Sequence, residues 1–266
     1  MVKLLYKETT GLIIGVYYNV YNGTGRTYPE YIFENAMVGD LRILRVPCHR
    51  QVEYRILYKG RLVGVQRLDL FVAGEVVVEI KVVLVLTRLH KAQAISYLKV
   101  VGKQVGLLFN FGGPEPEFKR LYFEPRSPQN DLDAAIRTLP EFPSSYLSPE
   151  LTYDIIGGLM EVHSTLGPGF IHRIYANASW YELQQRGLQV RPCQTYQVIY
   201  RNRPIGEIKF GHLQVNDSVF VFPVAVQDIN DIHIGNLKAW MRFQKIPIGI
   251  LANFYDTSLH PIVLRV

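Results

Sequence analysis

One block of residues is written twice in this chain. Gly15 and Gly157, Gly25 and Gly167, Asn35 and Asn177, and Gly64 and Gly206 each stand 142 positions apart. Further on the spacing becomes 143, for His90 with His233 and for Gly106-Leu107-Leu108-Phe109-Asn110-Phe111 with Gly249-Ile250-Leu251-Ala252-Asn253-Phe254, which implies one inserted residue. Chance does not keep register over such a length, and the unit is far longer than a solenoid repeat of about 20–45 residues. The expected organisation is therefore two domains of one fold. Each half of the 266 residues falls inside the usual domain range of about 50–250.

Composition narrows the class. Hydrophobic residues make up 48% of the chain, enough for two modest cores. The apolar stretch from Leu12 to Val20 is short and is interrupted by Asn19; a spanning helix needs about 20 apolar residues, so no membrane segment is expected. No signal-peptide cleavage site stands out either. Cys48 and Cys193 are not equivalent in the two copies, which argues against a disulfide framework or a thiolate metal site and points to a reducing cytoplasm. The net charge of +6 favours a polyanionic partner such as nucleic acid.

Along the first copy, Leu12, Ile13, Val16, Tyr17 and Val20 give a helical apolar stripe. After a turn at Gly23-Thr24-Gly25, Thr27 before Pro29 predicts an N-cap for a second helix through Ile32, Phe33, Ala36 and Leu41. Three strand-like runs follow, Val52 to Tyr58, Leu62 to Val72 and Val76 to Leu86, with turns at Lys59-Gly60 and Ala73-Gly74. A helix over 88–101, a buried strand over 105–111 and an edge strand over 117–123 complete the copy. This order predicts an α/β fold, a mixed sheet flanked by helices. Residues 124–147, with Pro125, Pro128, Pro140 and Pro143 and a helical pattern from Leu132 to Leu139, form the expected linker. The expected domains are residues 1–123 and 148–266.

The third strand of the first copy is apolar except for Glu79 and Lys81. Residues two apart on a strand share a face, and the preceding hairpin brings Asp69 to them. Two carboxylates crowded in an apolar setting repel each other, and an oxygen-loving divalent cation relieves the conflict. Such an ion stabilises a pentacovalent phosphate and lowers the pKa of a bound water, while an ammonium orients that water. In the second copy the same alignment puts Gly211, Val221 and Pro223 where Asp69, Glu79 and Lys81 stand, so one copy reads as armed and the other as disarmed.

Asp69, a hairpin, then Glu79-Ile80-Lys81 resembles the core motif of the PD-(D/E)XK nuclease superfamily, and within it the chain is similar to the small GxxExxY proteins. The likeness runs through both copies and includes His90-Lys91-Ala92-Gln93, Tyr97-Leu98 and Asn110-Phe111. It implies two tandem restriction-endonuclease-like domains. It also implies metal ligands at Asp69, Glu79 and the Ile80 carbonyl, with Lys81 and Gln93 completing the catalytic set and Gly15, Asn19 and Tyr97 supporting it. Gly15 fits the family glycine, but Asn19 stands where its glutamate would be, whereas the second copy keeps Gly157 and Glu161. A neutral amide adds no charge, so one Mg or Mn ion is expected rather than two.

The function that follows is a divalent-metal-dependent nuclease, a phosphodiester hydrolase with one centre in the first domain and a degenerate second domain, the two forming an internal pseudo-dimer that can be monomeric overall. Arg61, Arg67, Arg88 and Lys91 are the candidates for contact with DNA or RNA. The alternative is a catalytically inactive pseudo-nuclease that binds nucleic acid or scaffolds proteins.

Overall fold

The computed structural model describes residues 5–26, 28–124 and 149–266. The N-cap expected at Thr27 and the linker prolines with their helix over 132–139 lie outside these residues. Contacts divide the chain into two compact units, Met1–Ile56 with Val65–Arg126, and Leu57–Gly64 with Ser127–Val266. Among the described residues no helix is long and apolar enough to cross a membrane.

The first unit is built from α1 (Lys7–Gly23), α2 (Glu30–Ile43), α3 (Arg88–Val101) and a five-stranded sheet in the order β1-β2-β3-β4-β5, comprising β1 (Cys48–Tyr58), β2 (Arg61–Val72), β3 (Val76–Lys81), β4 (Val105–Asn110) and β5 (Glu117–Tyr122). β3 runs parallel to β4 and antiparallel to β2, so the sheet is mixed. The α1 stripe Ile13, Val16, Tyr17 and Val20 packs with Phe33, Met37 and Leu41 of α2 against Leu70, Val78, Ile80 and Phe109. Two α1 tyrosines are core: the Tyr17 hydroxyl donates to the Asn110 carbonyl at 2.8 Å, and the Tyr21 hydroxyl to that of Gly113 at 2.7 Å.

β3 ends at Lys81, five residues short of the expected Leu86. Its neighbour β4 stops at Asn110, whose side-chain oxygen takes the Val83 and Gly112 amides at 3.1 and 3.0 Å. With no partner strand the apolar run leaves the sheet, and Leu84 is 79% exposed. α3 begins where expected, on a capping box in which the His90 amide donates to the Thr87 hydroxyl and the Thr87 amide to the His90 ring.

The second unit repeats the plan with α4 (Pro149–Leu166), α5 (His172–Gln185), α6 (Ile234–Phe243) and a sheet ordered β10-β9-β8-β7-β6, made of β6 (Val190–Tyr200), β7 (Arg203–Val215), β8 (Val219–Val224), β9 (Ile248–Asn253) and β10 (Ile262–Arg265). The hairpin tip Leu57–Gly64 belongs to this unit. There the carboxylate of Glu182, which is 2% exposed, accepts from the Tyr58 hydroxyl and Lys59 Nζ at 2.8 Å each and from Arg186 Nε at 3.0 Å. Lys59 also pairs with Glu161 at 3.2 Å.

Strand register corrects the alignment of the two copies. The turn Lys59-Gly60 and the turn Arg201-Asn202, all four residues at positive φ, are 142 apart, whereas Ala73-Gly74 and Asn216-Asp217, again at positive φ, are 143 apart. The inserted residue therefore lies in β7, which has 13 residues against 12 in β2. A bulge marks it, since Thr195 pairs with Lys209 but Cys193 with His212. Beyond the bulge Leu213 pairs with Val221, as Leu70 pairs with Val78. The residues in the places of Asp69, Glu79 and Lys81 are thus His212, Phe222 and Val224, not Gly211, Val221 and Pro223. A one-residue slip exchanges the faces of a strand, so the correction changes what occupies the second site.

Candidate active site

The antiparallel run that ends at Leu70 and Val78 brings Asp69 and Glu79 abreast, and the two-residue period of β3 puts Lys81 on the same side. Glu79 is 5% exposed. Its Oε1 accepts from Lys81 Nζ at 2.7 Å, while its Oε2 is buried with no hydrogen-bond partner among the described residues. Asp69 Oδ2 accepts from the Ile80 amide at 2.8 Å. Ile80 therefore holds a carboxylate in place through its N–H.

The charges of this cluster are strongly perturbed. Burial, then the neighbouring Glu79 carboxylate, pushes the Asp69 carboxyl up to about 8, against the lowering effect of the Ile80 amide and Lys81. Burial also raises Glu79, opposed by the Lys81 ammonium and assisted by Glu30 and Glu34. For Lys81, burial alone would lower the ammonium, but Glu79, with Glu30 and Asp69 further off, reverses the balance and raises it. Lys81 stays charged, and the two carboxyls bear the strain of desolvation.

Glu34 was not anticipated as a member of the site. It lies on α2, is 3% exposed, and accepts from Gln51 Nε2 at 2.9 and 3.0 Å, with Arg50 Nε at 3.8 Å. Its charge acts on both Asp69 and Glu79, and that of Glu30, on the first turn of the same helix, acts on Glu79 and Lys81. Sequence carried a signal for it: at a spacing of 142, Glu34 answers to Ala176 and Glu30 to His172, so these carboxylates disappear in the second copy together with the strand charges.

Gly15 and Asn19 are exposed on α1, whose buried stripe lies at 13, 16, 17 and 20. Gln93 is half-buried on α3 and is not hydrogen-bonded to Asp69, Glu79 or Lys81. Tyr97 is buried, 3.5 Å from Gln66 Nε2. Arg67 is taken by Glu53 at 2.8 Å. The Arg61 guanidinium, in the second unit, lies 4.9 and 5.0 Å from the Trp180 and Tyr181 ring centres. Arg88 is exposed and Lys91 half-buried at the start of α3.

A family model for the PD-(D/E)XK nuclease superfamily matches residues 7–121 and again residues 149–266. The chain belongs to this superfamily. Its two matched segments are tandem copies of one domain, each a mixed five-stranded sheet flanked by helices, as the duplication implied. No curated protein and no solved structure matches the chain. Among the described residues no group of three or more His, Cys, Asp or Glu side chains is disposed to hold a metal ion. The donor chemistry nevertheless suits a hard cation, because the buried Glu79 Oε2 lacks a partner beside a second carboxylate, and oxygen donors of this kind favour Mg or Mn. Asp69 and Glu79 are the groups that would hold it.

Proposed function

We propose that the chain is a divalent-metal-dependent nuclease with a single hydrolytic centre in the domain of residues 1–123, residues 148–266 being its degenerate partner. The observation that carries this reading is the orphaned Glu79 Oε2, buried next to an Asp69 carboxyl that burial and charge repulsion hold far above its ordinary range. Two buried carboxyls sharing a single ammonium stabilise nothing by themselves, and a site that gathers titratable groups at such a cost is a functional candidate. A bound Mg or Mn ion would supply Lewis acidity toward the scissile phosphate and acidify a water.

The chain's own residues do the rest. The Ile80 amide fixes the Asp69 carboxylate, and Lys81, locked on Glu79 Oε1, holds a permanent positive charge where phosphate negative charge develops. Glu34 and Glu30 add negative potential that favours a cation over an anion at the carboxylates. Arg88 and Lys91 offer charges for the nucleic-acid backbone. One centre predicts single-strand nicks.

The test is incubation of the full chain with duplex DNA and with structured RNA in Mg or Mn. Cleavage should vanish with chelator and in Asp69→Ala and Lys81→Ala; cleavage that persists in both variants overturns the reading. A manganese-soaked crystal should show density between Asp69 and Glu79. Salt-sensitive nucleic-acid binding that ignores chelator and both substitutions would instead establish the non-catalytic alternative.

A further inference from the structure

The second domain keeps a cavity of about 610 Å³ between α5, β6 and β7, lined among others by His172, Arg173, Ala176, Cys193, Lys209 and His212. These positions correspond to the armed site. At a spacing of 142, His172, Ala176 and Cys193 answer to Glu30, Glu34 and Gln51, and beyond the bulge, at 143, His212 answers to Asp69. In the first domain Glu34 and Gln51 are hydrogen-bonded to each other; the shorter Ala176 and Cys193 at the equivalent positions both border the cavity. The charge is reversed there as well. No Asp or Glu lines the cavity, whereas Arg173, Lys209 and two histidines do. Neither cation is ion-paired to a described carboxylate.

The His212 ring is buried in the core behind the cavity wall, 5.3 and 5.4 Å from the Phe220 and Phe222 rings. His212 is 1% exposed; its Nδ1 lies 3.0 Å from the Phe210 carbonyl, which fixes the proton there, and its Nε2 is buried without a partner. A neutral imidazole in that tautomer presents an acceptor. Burial holds the ring neutral.

We propose that this cavity is an anion site for a nucleoside monophosphate group, the phosphate on Lys209 and Arg173. Basic side chains with Thr195 also lining the cavity suit phosphate oxygens, and the volume lies in the range of small-ligand sites, about 300–1,000 Å³, well beyond a bare phosphate ion. The shared chemistry comes from two sources, a free nucleotide or the phosphorylated end of a strand.

The inference does not depend on hydrolysis in the first domain, and its test is run on the full chain carrying Asp69→Ala, in chelator, by calorimetric titration. The probes are adenosine monophosphate, inorganic phosphate, and one oligonucleotide with and without a 5′-phosphate. Adenosine monophosphate should bind, and Arg173→Ala with Lys209→Ala, both at exposed positions, should weaken it by more than about tenfold, which is about 1.4 kcal/mol. Ala176→Glu, which restores the carboxylate of the first copy, should abolish binding while far-UV circular dichroism stays native. Lys119→Ala, in the first domain, should change nothing. Tighter binding of the 5′-phosphorylated strand than of the free nucleotide identifies the strand end as the source; the reverse identifies the free nucleotide. Binding that is absent up to about 10 mM, a concentration at which even contacts of a few kcal/mol register, or that ignores both sets of substitutions, overturns the proposal.

Discussion

The first domain's cluster and the second domain's cavity occupy the same place in the same fold and have opposite chemistry. In one, Asp69, Glu79, Glu34 and Glu30 surround a single lysine with negative potential. In the other, His212, Phe222, Ala176 and His172 stand at those positions, and Phe222 packs with Phe220, Leu237, Met241 and Leu251 as core. The difference shows that one fold accepts either a charged or an apolar filling at this place. Charge is costly in a buried site, so apolar filling is the more stabilising of the two. The rim of the site, nearer to solvent, is free to change sign.

The comparison breaks most visibly in catalysis. Asp69→Ala or Lys81→Ala should lower metal-dependent cleavage by at least about 10²–10³-fold, the scale of losing an electrostatic group at a reacting centre, whereas Phe222→Leu, a large-to-small change confined to the second core, should cost stability but leave the rate within about twofold of wild type; a rate loss in Phe222→Leu without unfolding would show that the second site takes part. Next in size, Glu34→Gln should weaken Mn binding about 10–100-fold, the usual cost of an outer group around a metal, as read by calorimetry, with little change in thermal midpoint.

The two sites should also respond to pH in opposite senses. In chelated protein the Asp69 carboxyl, raised to about 8, holds its proton longer than the unfolded chain does. The stability it contributes is complete below the ordinary carboxylate range and is lost as pH rises toward 8. Asp69→Asn should therefore raise the melting temperature at pH 9, by about 2–8 °C, and hardly change it at pH 4. His212 is lowered by burial, so its contribution is present above the ordinary histidine value and is lost as pH falls through its own lower one. His212→Leu should flatten the decline on acidification. Melting curves across pH 4–9 that move the same way for both variants would contradict the contrast. The smallest effect belongs to the exposed Arg67–Glu53 pair: Arg67→Ala should cost no more than about 1 kcal/mol in urea unfolding.

Much of this was legible in the residues, because it is local or repeats. Helices over the first copy followed from stripes such as Ile13, Val16, Tyr17 and Val20, and the hairpin turns from Lys59-Gly60 and Ala73-Gly74, which adopt positive φ. The convergence of Asp69, Glu79 and Lys81 followed from strand periodicity across one tight turn. Glu34 was hidden because it is far from β3 along the chain and reaches the cluster through the packing of α2 on the sheet. Arg61 lies over the Trp180 and Tyr181 rings, a contact between residues distant in sequence that no local pattern announces.

The sequence by itself determined the duplication, the α/β plan of each copy and the triad of charges in the first, since these rest on periodicity, turn chemistry and spacing along a single hairpin. Tertiary structure alone decided that one extra residue is absorbed as a bulge in β7, which sets His212 rather than Gly211 in the place of Asp69. It alone decided that α2 brings two more carboxylates to the first site and that a basic cavity stands at the equivalent place in the second. The physical reason is that strand register and helix docking are settled by burial across elements distant in sequence, where a shift of one position changes which side chains meet.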